Sequence, residues 1–324
     1  MNPNRSKLAQ IIWGSAIVLA LMIAAELYWT TQHDVSAQGG ERCHRIGAVY
    51  MTMNNPFYTV IDNQVALKVD SEGDILMTRD PALSQERQNE EIRDLLEEGI
   101  DLLILTPVEW DKAQSVVREV KSKGIPVIIV DTQVADRLLD CTIMSDNYRA
   151  GVQCARDMMA RRTSARIFLL CHSSTRSGAN RIQGFLDTIA KHPEYEVIAS
   201  AETEGQTEIS MPKVKQLLKE YGAPDVIMAL NDPAALGALG ALEQANLLDH
   251  TLVYGVDGTP EAKGLIKEGM MTGSAAQSVY RMGQLVADTV YQLLDGEAVE
   301  PEIIIPVQLI TKENVEEYIA DGWQ

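Results

Sequence analysis

The chain has 324 residues and is 46% hydrophobic, enough for two lobes with sizeable cores and a short accessory segment. Its formal net charge is -18, which excludes a nucleic-acid surface, because phosphate tracking needs clustered Lys and Arg. The four Cys and five His are scattered with no CxxC or His cluster, so neither a metal site nor a cofactor is expected.

The first elements differ from the rest. Arg5 and Lys7 precede an apolar run over residues 11–29, broken late by Glu26. As a helix it would be roughly 28 Å long, close to the hydrocarbon thickness of a bilayer. Basic residues before it place the N-terminus inside the cell. Two fates are open. The run is either a retained transmembrane anchor or a signal peptide cleaved near Val35-Ser36-Ala37. In both cases the remaining domain is exported, and residues 30–44 read as a polar spacer. Export permits disulfides, but Cys43, Cys141, Cys154 and Cys171 are read as free thiols.

One pattern then recurs. A short apolar run ends in polar residues, and an amphipathic helix follows. Strands are expected at 45–50, 74–78, 102–105, 127–130 and 142–144, with helices including 84–98 and 112–122. A second set begins after Ser145-Asp146-Asn147, with strands at 165–170, 197–199, 226–230 and 252–256. Helices fit between them at about 148–162, 177–190, 208–221 and 233–246. A final helix at about 278–294 precedes the run 303–307. This alternation predicts α/β architecture with parallel sheets covered on both faces. The strands are too many for one small sheet. The expected organisation is two doubly wound parallel-sheet lobes joined by a three-segment hinge near 145, 277 and 306. Residues 1–43 hold the stub, membrane or signal helix and spacer. The N-terminal lobe takes 44–145 plus 278–305, and the C-terminal lobe 146–277 plus 306–324.

In a parallel sheet, every strand-to-helix loop lies on one edge, where ligands bind. The loops here carry Asn54-Asn55-Pro56-Phe57-Tyr58, Asp131-Thr132-Gln133, Asn180-Arg181, Asn231-Asp232 and Asp257-Gly258-Thr259-Pro260. Carboxylates and amides accept and donate to hydroxyls, a guanidinium supplies a planar fork of donors, and aromatic rings pack on apolar faces. The expected ligand is a polyhydroxylated small molecule. Local roles compete with this reading: core packing for Phe57 and Tyr58, a surface ion pair for Arg181, a helix cap for Asp257.

These segments, with Gly124-Ile125-Pro126, Gly184-Phe185 and Gln277, resemble sugar-binding proteins of the type I periplasmic binding fold, the ribose-binding branch most closely. They occur in family order over nearly the whole exported part. The resemblance implies ligand contacts from Asn55, Phe57, Tyr58, Asp131, Thr132, Arg181, Asn231, Asp257 and Gln277. Three positions depart from the ribose branch: Thr132 stands for Arg, Gly205 for an aromatic, and Val256 for an aromatic. These losses lead us to expect a larger pocket and a ligand other than ribose. Trp110, near the same edge, is either a replacement stacking face or a rim residue.

The resemblance implies an extracytoplasmic receptor that closes on a monosaccharide-type ligand, a pentose, hexose or related polyol. Its membrane client would be an ABC sugar importer (the permease) or a sensor histidine kinase. An apolar anchor where related repressors carry a helix-turn-helix argues against DNA binding. Catalysis is the alternative from another class, but no nucleophile elbow, phosphate loop or metal spacing is present. A pocket that has lost its ligand and serves only interaction is the third reading.

Overall fold

A computed structural model of the chain describes residues 43–135, 139–319 and 322–323. The apolar run at 11–29 lies outside them. Among the described residues, no helix is long and apolar enough to cross a membrane. Residues from His44 onward form one compact unit.

That unit contains two six-stranded sheets. The first five strands of the chain are β1 (Arg45–Val49), β2 (Ile75–Arg79), β3 (Leu102–Leu105), β4 (Val127–Val130) and β5 (Cys141–Ser145). With β11 (Glu302–Ile305) they make one sheet, in the order β11-β5-β4-β3-β1-β2, all parallel. The second sheet contains β6 (Ala165–Cys171), β7 (Tyr195–Glu202), β8 (Val226–Ala229), β9 (Leu252–Asp257), β10 (Gly273–Ala276) and β12 (Gln308–Thr311). Its order is β12-β10-β9-β8-β6-β7, and only the β10–β12 pair is antiparallel. Strands β3, β4 and β8 are buried at every position, because helices cover both faces and leave no wet side.

The helices are α1 (Pro56–Glu72), α2 (Gln85–Glu98), α3 (Gln114–Ser122), α4 (Asn147–Arg161), α5 (Arg176–Ile189), α6 (Thr207–Tyr221), α7 (Asp232–Gln244), α8 (Pro260–Glu268) and α9 (Val279–Leu294). Their starts follow capping chemistry. Asn55, Ser84, Asp146, Thr175, Asn231 and Thr259 each accept a backbone N–H of the first turn. Helices α4 and α5 approach backbone to backbone. A Cβ at Gly151 would stand 1.8 Å from the Arg181 carbonyl oxygen, and one at Gly184 2.1 Å from that of Tyr148. Only glycine at both positions permits this contact, and the contact fixes where Arg181 points.

The chain passes between the sheets after β5, after β10 and between β11 and β12. Asp146 (φ -70°, ψ 76°) and Ser278 (φ -84°, ψ 73°) take up the first two turns. The C-terminus makes a further connection that departs from the expected assignment of 306–324 to one lobe. Lys263 of α8 donates to the carbonyls of Ile319 and Gly322, and Trp323 then packs against Phe57 of the other lobe.

Two strands were not expected. β10 reads Gly-Ser-Ala-Ala, with no apolar run to mark it, and β12 is four residues long. The four cysteines are free. Cys141 and Cys154 are buried, Cys171 is half-buried and Cys43 is exposed.

Candidate functional site

The ends of β1, β4, β6, β7, β8, β9 and β10 face one narrow cavity between the sheets that is partly open to solvent. Its walls include Asn55, Phe57, Tyr58, Asp131, Arg181, Asn231, Asp257 and Gln277. The structure thus brings together all the expected site residues except Thr132.

Asp131 follows β4 with φ 68°, and the Thr132 N–H donates back to the Val130 carbonyl at 2.8 Å. This is a γ-turn of the rare kind, a local strain of order 1–3 kcal/mol that surrounding structure must hold. It turns the carboxylate into the cavity, where the Tyr58 hydroxyl donates to Oδ2 at 3.0 Å. Asp257 ends β9, the topologically equivalent strand of the second sheet, and also has positive φ, 131°. Gln277 Nε2 donates to its Oδ1 at 2.7 Å. Behind it, buried Asp232 accepts from the Thr259 N–H at 2.9 Å and the Ser274 hydroxyl at 2.6 Å, which secures the loop that carries Asp257. Gly255 leaves room for this: a Cβ there would lie 2.3 Å from Asp232 Oδ1.

Arg181 sits between the two carboxylates, 3.8 Å from Asp131 and 3.6 Å from Asp257. Its Nε donates to Asn147 Oδ1 at 2.7 Å and Nη1 to the Leu230 carbonyl at 3.0 Å. It is 4% exposed, so the surface-pair alternative does not hold. Burial pushes the Asp131 and Asp257 carboxyls above their ordinary range, an effect that Arg181 offsets only in part. The Tyr58 hydroxyl is held neutral, first by burial and then by Asp131. Three buried acceptors on this wall receive no hydrogen bond: Asp131 Oδ1, Asp257 Oδ2 and Gln277 Oε1.

Phe57 is 2% exposed and lines the cavity. Its ring meets Tyr58 edge-on at 5.4 Å and Trp323 at 5.9 Å, so its position is fixed from two sides. Asn55 and Asn231 divide their polar atoms. Each carbonyl oxygen caps a helix, and Asn231 Nδ2 also donates to the Gly205 carbonyl at 3.1 Å.

Thr132 serves elsewhere. Its hydroxyl accepts from the Ser177 N–H at 3.0 Å and so caps α5 from the opposite lobe. Gly205 lines the cavity, but with φ 67° and a hypothetical Cβ 2.7 Å from Asn231 Nδ2, the absent aromatic leaves little space. Val256 is fully buried in the apolar core of the second lobe. Neither position enlarges the pocket as expected. Trp110 is not among the residues that line the cavity: the Arg176 guanidinium lies 5.2 Å over its ring, and its backbone N–H donates to the Ser174 carbonyl. With Asn54 donating to Gln206 at 2.8 Å, these contacts join the lobes across the cleft. Sequence reading missed Asn147, Thr175, Ser177, His172 and Glu204 around the site. Only Asn147 carried a signal, its place in the Ser145-Asp146-Asn147 segment.

Two curated relatives are ribose import binding proteins. That of Haemophilus influenzae is 29% identical over 301 residues, 92% of this chain and 97% of that protein. That of Escherichia coli is 27% identical over 271 residues, 83% and 90% of the two. A Bacillus halodurans ABC transporter solute-binding protein, solved with bound myo-inositol, superposes with a TM-score of 0.80. The superposition covers 87% of this chain and 99% of that one at 24% identity, a likeness of fold. The periplasmic binding protein domain matches residues 46–298, and on that extent the chain belongs to the periplasmic binding protein family.

Proposed function

We propose that the protein captures a monosaccharide-type polyol between its lobes and delivers it to an ABC sugar importer. The observation that carries this reading is the set of three buried acceptors, Asp131 Oδ1, Asp257 Oδ2 and Gln277 Oε1, that receive no hydrogen bond from the protein. A ligand with several hydroxyls would supply them. Hydrogen bonds to charged groups contribute roughly 1.5–3 kcal/mol each, whereas a buried acceptor left unmet costs a similar amount. Closure is therefore unfavourable when the cavity is empty and favourable when it is filled. That difference is what a binding protein needs to report its load to a membrane partner. Phe57 offers a fixed apolar wall for the C–H face of a ring.

Family membership puts the domain outside the cytoplasm. The apolar run at 11–29 supports a retained anchor as the means of attachment. Helix pairing within the bilayer would suit a sensor kinase as the alternative client. Binding without catalysis is the simplest use of the charged residues, since each already holds a neighbour in a position to receive hydroxyls.

The test is an Asp131→Ala chain titrated with pentoses, hexoses and polyols. The affinity for the ligand should fall by at least about 2 kcal/mol, or roughly thirtyfold. Unchanged affinity for every compound that the unaltered chain binds would mean that the ligand sits elsewhere.

A further inference from the structure

The carboxyls facing the cavity outnumber its cations, and burial pushes Asp257 up to about 8, so a proton partly meets an excess that a bound cation would meet instead. Asp131 and Asp257 are 4% and 3% exposed, and Glu204, itself exposed, adds a solvent-screened carboxylate at the wall. Against them, Arg181 is the one Lys or Arg among the described lining residues. His172 also lines the wall, but burial pushes its ring below the ordinary 6.5, so it is neutral near pH 7. Tyr58 is neutral as well. Asp232 faces its own partners in the loop after β9.

The unmet atoms are equally one-sided. Asp131 Oδ1, Asp257 Oδ2 and Gln277 Oε1 are all acceptors. A hydroxyl brings one donor along with acceptors that need partners of their own. An ammonium group brings three donors, no acceptor and the missing positive charge.

We propose that the ligand carries a protonated amine, as an amino sugar or amino polyol, received by Asp131, Asp257 and Gln277. This deepens the receptor reading above and rests on it. A net charge of -18 would also concentrate such a cation near the cleft.

The test is calorimetric titration of the full chain in detergent with matched pairs: D-glucosamine and D-glucose, D-galactosamine and D-galactose, an aminodeoxyinositol and myo-inositol. In at least one pair the amine should bind about tenfold or more tightly than its hydroxyl parent. Asp257→Asn keeps the shape and removes one charge, and it should bring that ratio close to one. If this variant does not fold, Glu204→Gln serves, with an expected loss of about twofold to threefold in the ratio. Neutral members binding as tightly as the amines would overturn the amine while leaving the receptor reading in place. Absence of binding by every member to a chain shown to be folded would overturn both.

Discussion

The two lobes repeat one architecture and divide the chemistry. In sheet position, β4 and β9 are equivalent, and each delivers an Asp with positive φ to the cleft. Asp131 meets a phenol from its own lobe, whereas Asp257 meets an amide from its own lobe. The first turn of α1 contributes the aromatic pair, while the helix after β6 contributes the guanidinium that serves both carboxylates. One lobe thus supplies a face to pack on, and the other supplies the charge that makes closure affordable. Arg181 is the hub, because it is anchored entirely within the second lobe through Asn147 and Leu230 but pairs with Asp131 of the first only when the lobes meet.

The substitution that should break this division most completely is Arg181→Met. It leaves both buried carboxylates without a cation, and removing one partner of a buried pair costs about 3–5 kcal/mol. Ligand affinity should fall by at least about two orders of magnitude in calorimetry, with the melting temperature reduced by less. Gly151→Ala attacks the same hub indirectly. A methyl 1.8 Å from the Arg181 carbonyl must force α4 and α5 apart. A loss of about 3 kcal/mol in urea unfolding is expected, with weaker binding among the molecules that still fold.

Smaller effects sharpen the comparison. Trp323→Ala removes one of the two rings that fix Phe57 and should weaken binding by about 1 kcal/mol. Thr132→Val removes the cap that the first lobe offers to α5. It should cost about 1 kcal/mol of the closed state, seen as faster ligand release in stopped flow with little change in unfolding. Asn54→Ala at the rim should do less.

pH should act with a definite sign. Burial raises the Asp131 and Asp257 carboxyls between the lobes, and separating the lobes would expose both to water and relax that shift. The closed form then binds more protons, so lowering pH from neutrality toward the ordinary value of 3.8 should favour closure of the empty protein. Small-angle scattering at several pH values would register this as a smaller radius of gyration on acidification. Expansion on acidification would mean that other groups dominate.

The lobes differ in how much the sequence disclosed. Strands such as β3 and β4 were legible to the residue, because parallel strands buried on both faces read as unbroken apolar runs. β10 was not, since Gly-Ser-Ala-Ala has no such run; its small residues make room for the Asp232 network and for β12. The loop residues converged as strand-edge geometry requires, but their partners could not be read from spacing. Asn147 and Arg181 are joined through the glycine contact of α4 and α5, which has no local signal in either helix. Thr132 shows the limit on the other side. Its position beside Asp131 suggested a ligand contact, yet the γ-turn at Asp131 sends the two side chains to different tasks. The expected widening of the pocket failed for a similar reason: an absent side chain at Gly205 is matched by Asn231, which occupies the space.

The central claim is that a polyol held between the lobes satisfies acceptors from both. It is tested most directly by titrating the full chain in detergent with pentoses, hexoses, deoxy sugars, inositols and their amino derivatives, followed by the same titration of Asp257→Ala. A single saturable heat with one compound, lost in the variant, is the expected result. A saturable heat of equal affinity in the variant, or none with any compound from a folded chain, would contradict it.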